Sequence, residues 1–373
     1  EGVTIALGSD YYGEVKKGFL RLAMWKAKQE EMLGLHAGSK IIRARQPDGN
    51  LGTYGMILFG LTATGKTTHT CHDHHLDKEG EGVAICQDDV VFMNSDGSCL
   101  GTEKGFFIKT DGLEKEEQPV LYEAATMKDA TFENIMVDFE GKVDFQDETL
   151  TGNGRGIIQF DDLGVRKAES VNLPAVGDFD GLIIAMITRR HTVLPMCTKL
   201  DPHQAAAAFL LGESVESSGG DPRKAGQSVR VVGFNPFIIG DPADEGNRFH
   251  RFVEEHSDKM QCYLLNTGGV GEKFEIDKNG NRKLVRKVDR IAVREMSAII
   301  CAIVRNEIEW VKEPLFGYLV PKEIPGVDMT RFDPRNFYSE EEIAKYVEEL
   351  KEERRKYMKQ FDHIDGSIIH SVN

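Results

Sequence analysis

The residues 60–68, Gly60-Leu-Thr-Ala-Thr-Gly65-Lys66-Thr67-Thr68, have the types and spacing to hold a chain of phosphates. They fill every fixed position of a G-x-x-x-x-G-K-[ST] loop. Gly60 and Gly65 let the backbone turn, so that the N–H groups of Thr62, Ala63, Thr64, Lys66 and Thr68 can point inward at an anion. Lys66 reaches the β- and γ-phosphates, and the Thr67 hydroxyl suits a divalent cation. The competing reading is an accidental glycine-rich turn. A second pair, Asp88-Asp89, closes the run Ile85-Cys-Gln and stands where phosphate-loop enzymes carry a metal-holding carboxylate; an acidic strand-end turn is the alternative. Lys16-Lys17 and His36, taken singly, read as a solvated surface pair and a structural histidine. His69-Thr-Cys71-His72-Asp73-His74-His75 is dense in metal-ligand types. On a helix Cys71 and His74 or His75 share a face, but a polar helix end with exposed histidines is the simpler expectation, since one helix does not easily present four ligands.

These groups need elements to position them. Tyr54-Gly-Met-Ile-Leu-Phe59 reads as a buried strand running into the loop, and Thr67 opens a helix. Residues 3–7, Val-Thr-Ile-Ala-Leu, read as a strand, and residues 14–32 as a helix carrying Lys16 and Lys17. Further core strands are expected at 181–188, 229–234 and 261–266. Asn94-Ser-Asp-Gly-Ser98 and Asp277-Lys-Asn-Gly-Asn281 are turn signals. The polar, glycine- and serine-rich stretch 213–227 reads as a mobile loop or lid. Ser339 and Glu342 form a capping box ahead of Ile343, Tyr346, Val347 and Leu350 at helical spacing. The charge run 351–356 then reads as a solvated face.

The chain has 373 residues, 40% hydrophobic and 29% charged, which suits a globular α/β protein. A net charge of −15 argues against a nucleic-acid partner, because no basic face is left to neutralise phosphates. No apolar run approaches the ~20 residues of a membrane span. Cys71, Cys86, Cys99, Cys197, Cys262 and Cys301 are scattered, so reduced thiols and a cytoplasmic setting are expected. Glu1, with no Met and an apolar run close behind, reads as a point inside a longer protein.

Several motifs in order carry a family resemblance. Gly8-Ser-Asp-Tyr11-Tyr-Gly13-Glu14-Val-Lys16-Lys17-Gly18, His36, the 60–68 loop and Asp88-Asp89 resemble the ATP-dependent phosphoenolpyruvate carboxykinases. Phe107-Ile-Lys109-Thr110, Thr151-Gly-Asn-Gly-Arg155, Tyr263-Leu-Leu-Asn-Thr-Gly268, Ile324-Pro-Gly-Val-Asp328 and Asp333-Pro-Arg-Asn336 continue the series. The resemblance implies that family's mixed-sheet nucleotide-binding domain containing a phosphate loop. It implies a carboxy-lyase of gluconeogenesis that turns oxaloacetate and ATP into phosphoenolpyruvate, carbon dioxide and ADP. Lys17, His36 and Asp89 would hold a transition metal, usually Mn²⁺, and Thr67 a Mg²⁺ on the β- and γ-phosphates. A lysine binds a metal only as the neutral amine, so the cation must hold its proton off. Lys16 and Arg155 would face the enolate charge, Tyr11 the substrate or carbon dioxide, and Lys109 and Lys273 the nucleotide. Implied divisions are 1–33 as the end of an N-terminal substrate domain, 34–150 as the nucleotide and metal subdomain, 151–330 as a second subdomain completing the site, and 331–373 as a helical tail. The N-terminal domain would supply a further arginine for the substrate carboxylate.

The chain departs from the family at Thr62-Ala63, where Ser-Gly is usual, at Val90, Gln118, and Lys273 in place of an arginine. A phosphotransferase with another acceptor on the same scaffold is therefore one competitor, and a nucleotide-binding regulatory module without turnover is another. A substrate screen separates the first; tight ATP binding without phosphate transfer would favour the second.

Overall fold

A computed structural model describes residues 2–9, 11–147, 149, 152–215, 227–276 and 282–372. The expected turn at 277–281 lies outside the described residues, as do Asp10, Thr151 and positions 216–226 of the expected lid.

The central element is an eight-stranded mixed sheet. In chain order its strands are β2 (Ala37–Arg45), β3 (Leu51–Gly60), β4 (Gly82–Gln87), β10 (Gly181–Thr188), β11 (Cys197–Leu200), β14 (Met260–Asn266), β19 (Trp310–Lys312) and β20 (Leu319–Pro321). They lie in the order β19-β20-β11-β14-β10-β3-β2-β4, drawing on residues both before and after position 150. β3, β10 and β14 run parallel at the centre, and every other pairing is antiparallel. All residues of β10 are buried, as a strand covered on both faces requires.

Alternation divides the core into two layers. Ile57, Phe59, Ile184 and Met186 face one side, while Met56, Leu58, Ile183, Ala185 and Ile187 face the other. On the first side lie α4 (Pro202–Leu211) and α5 (Pro242–Glu255), whose Phe209 and Phe249 stack at 4.4 Å beside Phe59. On the second side α6 (Val293–Val304) packs Met296, Ile299, Ile300 and Ile303. α4 starts at a capping box made by Asp201 and Gln204 and ends at Gly212 in the left-handed conformation.

Smaller elements flank the sheet. α1 (Tyr12–Gln29) buries Lys16, Leu20, Met24 and Ala27 on one stripe. β1 (Leu33–Leu35), β5 (Val91–Met93) and β6 (Cys99–Gly101) form one small sheet, and β7 (Gly105–Lys109), β8 (Thr131–Glu133) and β9 (Arg155–Gln159) another. α2 (Lys66–Thr70) and α3 (Pro119–Ala125) are short. β12 (Glu213–Val215) pairs with β13 (Ser228–Arg230), β15 (Gly269–Val270) with β18 (Asp289–Arg290), and β16 (Lys273–Ile276) with β17 (Arg282–Arg286). α7 (Glu340–Met358) carries the expected capping box at Ser339 and Glu342, and α8 (Gly366–His370) follows.

Several expectations are corrected. Residues 3–7 pair with no described strand, and Val3, Ile5 and Leu7 are exposed; an apolar run without a ladder partner gains nothing from the extended form. The helix expected over 14–32 runs over Tyr12–Gln29. The strand expected at 229–234 stops at Arg230, and Val232–Phe234 is a 3₁₀ turn through Gly233 at φ 62°. At 213–215 the expected lid is instead a strand with Glu213 buried. The run 351–356 is not wholly solvated: Arg354 is buried, its guanidinium within 2.9 Å of Glu213 and 3.0 Å of the Tyr318 hydroxyl. Arg190 and Arg230 close on the same Glu213 carboxylate, docking α7 against β12 and β13.

Candidate active site

The 60–68 loop leaves the C-terminal end of β3 and enters α2. At Gly60 a Cβ would lie 2.6 Å from the Thr64 hydroxyl, so only glycine fits the turn. Gly65 takes φ 99°, and Ala63 takes φ 63°, a left-handed conformation that costs a residue with a Cβ about 1–2 kcal/mol. The loop is tied to the neighbouring strand ends. Thr267, just after β14, donates its hydroxyl to the Thr64 carbonyl at 2.6 Å and its N–H to the Thr188 carbonyl at 3.0 Å. The Thr68 hydroxyl donates to Gln118 at 2.9 Å.

Beside the loop, Asp89 is the centre of charge. Lys17 donates to its carboxylate at 2.5 Å and Lys66 at 2.6 Å, while Lys16 lies 3.2 Å away and His36 Nε2 3.0 Å away. Burial opposes ionisation of Asp89, but the Lys66 and Lys16 charges overcome it and hold the carboxyl well below the usual range. Burial also pushes Lys16 down, yet Asp89, Asp88 and Glu103 outweigh that and hold it charged. Lys66 is lowered by burial, with Lys17 adding repulsion. Asp88, fully buried, is pushed up to about 7 by burial, although Lys16 resists.

The donor set fits a divalent cation. The His36 Nδ1–H donates to the Phe234 carbonyl at 2.8 Å, which aims the Nε2 lone pair at Asp89. Burial and the Lys66 charge keep that imidazole neutral down to about pH 4. Two lone pairs therefore face each other at His36 and Asp89, and Lys17 is on the same carboxylate. Both Asp88 oxygens are buried without a hydrogen-bond partner among the described residues. Such a set is relieved by a metal ion.

A cavity of about 500 Å³ gathers most of the sequence-derived residues: Tyr11, Lys17, His36, residues 62–68, Asp89, Lys109 and Arg155 line it. Lys16 lies behind, over the Phe107 ring at 5.4 Å, and Arg155 approaches the same ring at 5.6 Å. Arg155 and Lys109 are cross-strand neighbours on β9 and β7. Lys273 stands apart, outside this lining, in an ion pair with Glu342 at 2.6 Å. Arg189 and Arg290 line the cavity instead, and neither they nor Phe237 and Glu103 were singled out by sequence. Arg290 reaches the cavity only because β18 pairs it with Gly269 on β15, and Glu103 only because it pairs with Lys16 at 2.9 Å, so neither had a local sequence signal.

The histidines after the loop are also corrected. α2 ends at Thr70, and His69, His72 and His74 are buried, with only His75 exposed. The reason is Lys40 on β2, buried without a carboxylate partner among the described residues, whose ammonium meets the His69 carbonyl at 2.5 Å, the His72 carbonyl at 3.1 Å and His74 Nε2 at 2.6 Å. Burial lowers Lys40 to about 7.

The fold and this site define an α/β protein with a cationic cavity at the C-terminal ends of parallel strands, the usual place for a ligand in such sheets. Residues 1–330 match the family described as Phosphoenolpyruvate carboxykinase, and the chain belongs to that family. Phosphoenolpyruvate carboxykinase (ATP) of Aeropyrum pernix is 32% identical over 362 residues, 95% of this chain and 67% of that protein. The protein of the same name from Brucella anthropi is 25% identical over 98% of this chain and 62% of its own length. That from Bacillus mycoides is 26% identical over 97% and 63%. The chain thus spans about two thirds of the length of the curated relatives it matches. Among the described residues no helix is long and apolar enough to cross a membrane.

Proposed function

We propose that this chain binds ATP and a divalent metal and carries out the decarboxylation and phosphoryl transfer that convert oxaloacetate and ATP to phosphoenolpyruvate, carbon dioxide and ADP. The observation that carries the reading is Asp89, drawn together with Lys17, His36 and Lys66 beside a glycine-rich loop. The loop N–H groups and Lys66 would bind the β- and γ-phosphates, and Thr67 would hold the Mg²⁺ that accompanies ATP. Lys17, His36 and Asp89 would hold the second ion, Mn²⁺ by donor type, which supplies positive charge for an enolate oxygen. Arg155, with its planar fork, orients the substrate carboxylate.

The carbon–carbon bond of oxaloacetate breaks, carbon dioxide leaves, and the electron pair stays as the enolate of pyruvate. Lys16, kept charged by its carboxylate neighbours, and Arg155 are preorganised cations for that charge. The enolate oxygen then forms a bond to the γ-phosphorus as the bond to the β-phosphate oxygen breaks, releasing ADP. Tyr11 borders the space left for substrate or carbon dioxide.

Lys66→Ala and Asp89→Asn are expected to abolish phosphoryl transfer in protein that still folds; near-normal turnover in either sinks the assignment. Ala63 at φ 63° favours a second reading, a phosphotransferase with another acceptor, because its Cβ reshapes the approach to the γ-phosphate. ATP-dependent phosphorylation of a different acceptor, with none of oxaloacetate, would select it.

A further inference from the structure

We propose that His203, His250 and Glu254 form a second metal site, for Zn²⁺ or a similar borderline cation, that clamps α4 to α5. None of these residues lines the cavity at Asp89. His203 sits in the first turn of α4, while His250 and Glu254 lie four residues apart on one face of α5. Their ligand atoms all fall within 4.8 Å of one another. His203 Nδ1 meets His250 Nε2 at 2.9 Å, and Glu254 Oε1 lies 3.6 Å from the same Nε2.

That arrangement is poorly satisfied by protons alone. Two imidazole nitrogens in contact share one proton, which leaves the Glu254 carboxylate, 3.6 Å from the same Nε2, just beyond hydrogen-bond reach of it. A cation accepts all three lone pairs together. Zinc bonds of roughly 2.0–2.2 Å to nitrogen and oxygen put tetrahedral ligands about 3.3 Å apart, which the observed 2.9 and 3.6 Å bracket. His250 is 4% exposed and so is held by packing, while Glu254 is exposed and leaves an entry path. α8 closes in from the side: the Ser371 hydroxyl donates to the His203 carbonyl at 3.0 Å, and the Asp365 N–H to Asn247 at 3.2 Å. The Asp365 carboxylate is engaged at the start of α8, accepting from the Ser367 N–H at 2.9 Å and its hydroxyl at 2.6 Å, so a water is left to complete the fourth position. Two imidazoles with one carboxylate suit Zn²⁺ better than Mg²⁺ or Ca²⁺, which prefer oxygen.

The test is Zn²⁺ titration of chelator-treated protein against a competing chromogenic chelator, all in an Asp89→Asn background that disables the other cluster. The background chain is expected to take up one equivalent of Zn²⁺. His203→Gln and Glu254→Gln, both at the rim of the site, are expected to weaken it by more than about 100-fold, beyond the range for losing an outer-shell partner. Zn²⁺ should raise the melting temperature of the background chain and not of these two variants, since a ligand that binds only the folded state stabilises it. Unchanged Zn²⁺ affinity in both variants, or no uptake by the background chain, overturns the site. The readouts do not use turnover, so the catalytic reading stands or falls separately.

Discussion

Replacing Asp89 by Asn tests whether one carboxylate holds the site together. Lys16, Lys17 and Lys66 lie within 3.2 Å of it, and Lys16 and Lys66 are each 6% exposed. Removing one partner of a buried ion pair costs about 3–5 kcal/mol, because the remaining charges stay desolvated without a counter-charge. Asp88 moderates the loss. Burial holds it up at about 7, and the neighbouring Asp89 charge adds to that. With Asp89 neutral, Asp88 ionises more readily and compensates in part. The expected loss is therefore about 2–4 kcal/mol at pH 7.5, about 1 kcal/mol under the buried-pair range. Urea unfolding of both proteins without nucleotide or metal measures it, with unchanged m as the control. Adding Lys17→Met to the variant removes one unpaired cation and should recover part of the loss, as coupled neighbours do. An Asp89→Asn protein within about 0.5 kcal/mol of the parent would refute the reasoning, since that is the range of an inconsequential surface change.

Ala63→Gly relieves the left-handed backbone at φ 63° while loosening the unfolded chain. The two effects leave a change of about 0 to +1 kcal/mol rather than the usual loss, again read by urea unfolding. Glu213→Gln strips the shared counter-ion from Arg190, Arg230 and Arg354 and should cost about 3–5 kcal/mol, with faster amide exchange in α7. On the acid side, burial lowers His69 to about 3 and His72 to about 4 from 6.5, and His74 lies well below it. The unfolded chain then binds more protons between about pH 6.5 and 4, so stability falls as pH drops through that window, and His72→Gln flattens the slope. Lys40 acts in the alkaline direction: folded at about 7 against 10.5 unfolded, it makes stability rise as pH climbs between those values.

Local pattern made much of this legible. The 60–68 loop, the strands ending at Gly60, Gln87, Thr188 and Asn266, and the capping box of α7 all follow from spacing within a few residues. The convergence of Tyr11, Lys17, His36, Asp89 and Arg155 on one cavity is expected from the family resemblance alone, not from spacing. What stayed hidden depends on distant partners. Arg354 reads as one charge among many until Glu213, 141 residues away in sequence, removes it from solvent. The histidines after the loop read as a polar helix end until Lys40 on the adjacent strand draws their carbonyls inward. Lys273 matches its motif only loosely, and Glu342 claims its charge.

The measurement closest to the central claim is phosphoenolpyruvate formation from oxaloacetate and ATP with Mn²⁺ and Mg²⁺, for this chain and any longer protein that contains it, beside Lys66→Ala. The account predicts product that requires ATP and metal and disappears in the variant. ATP bound with no phosphoenolpyruvate from any of these proteins would contradict it.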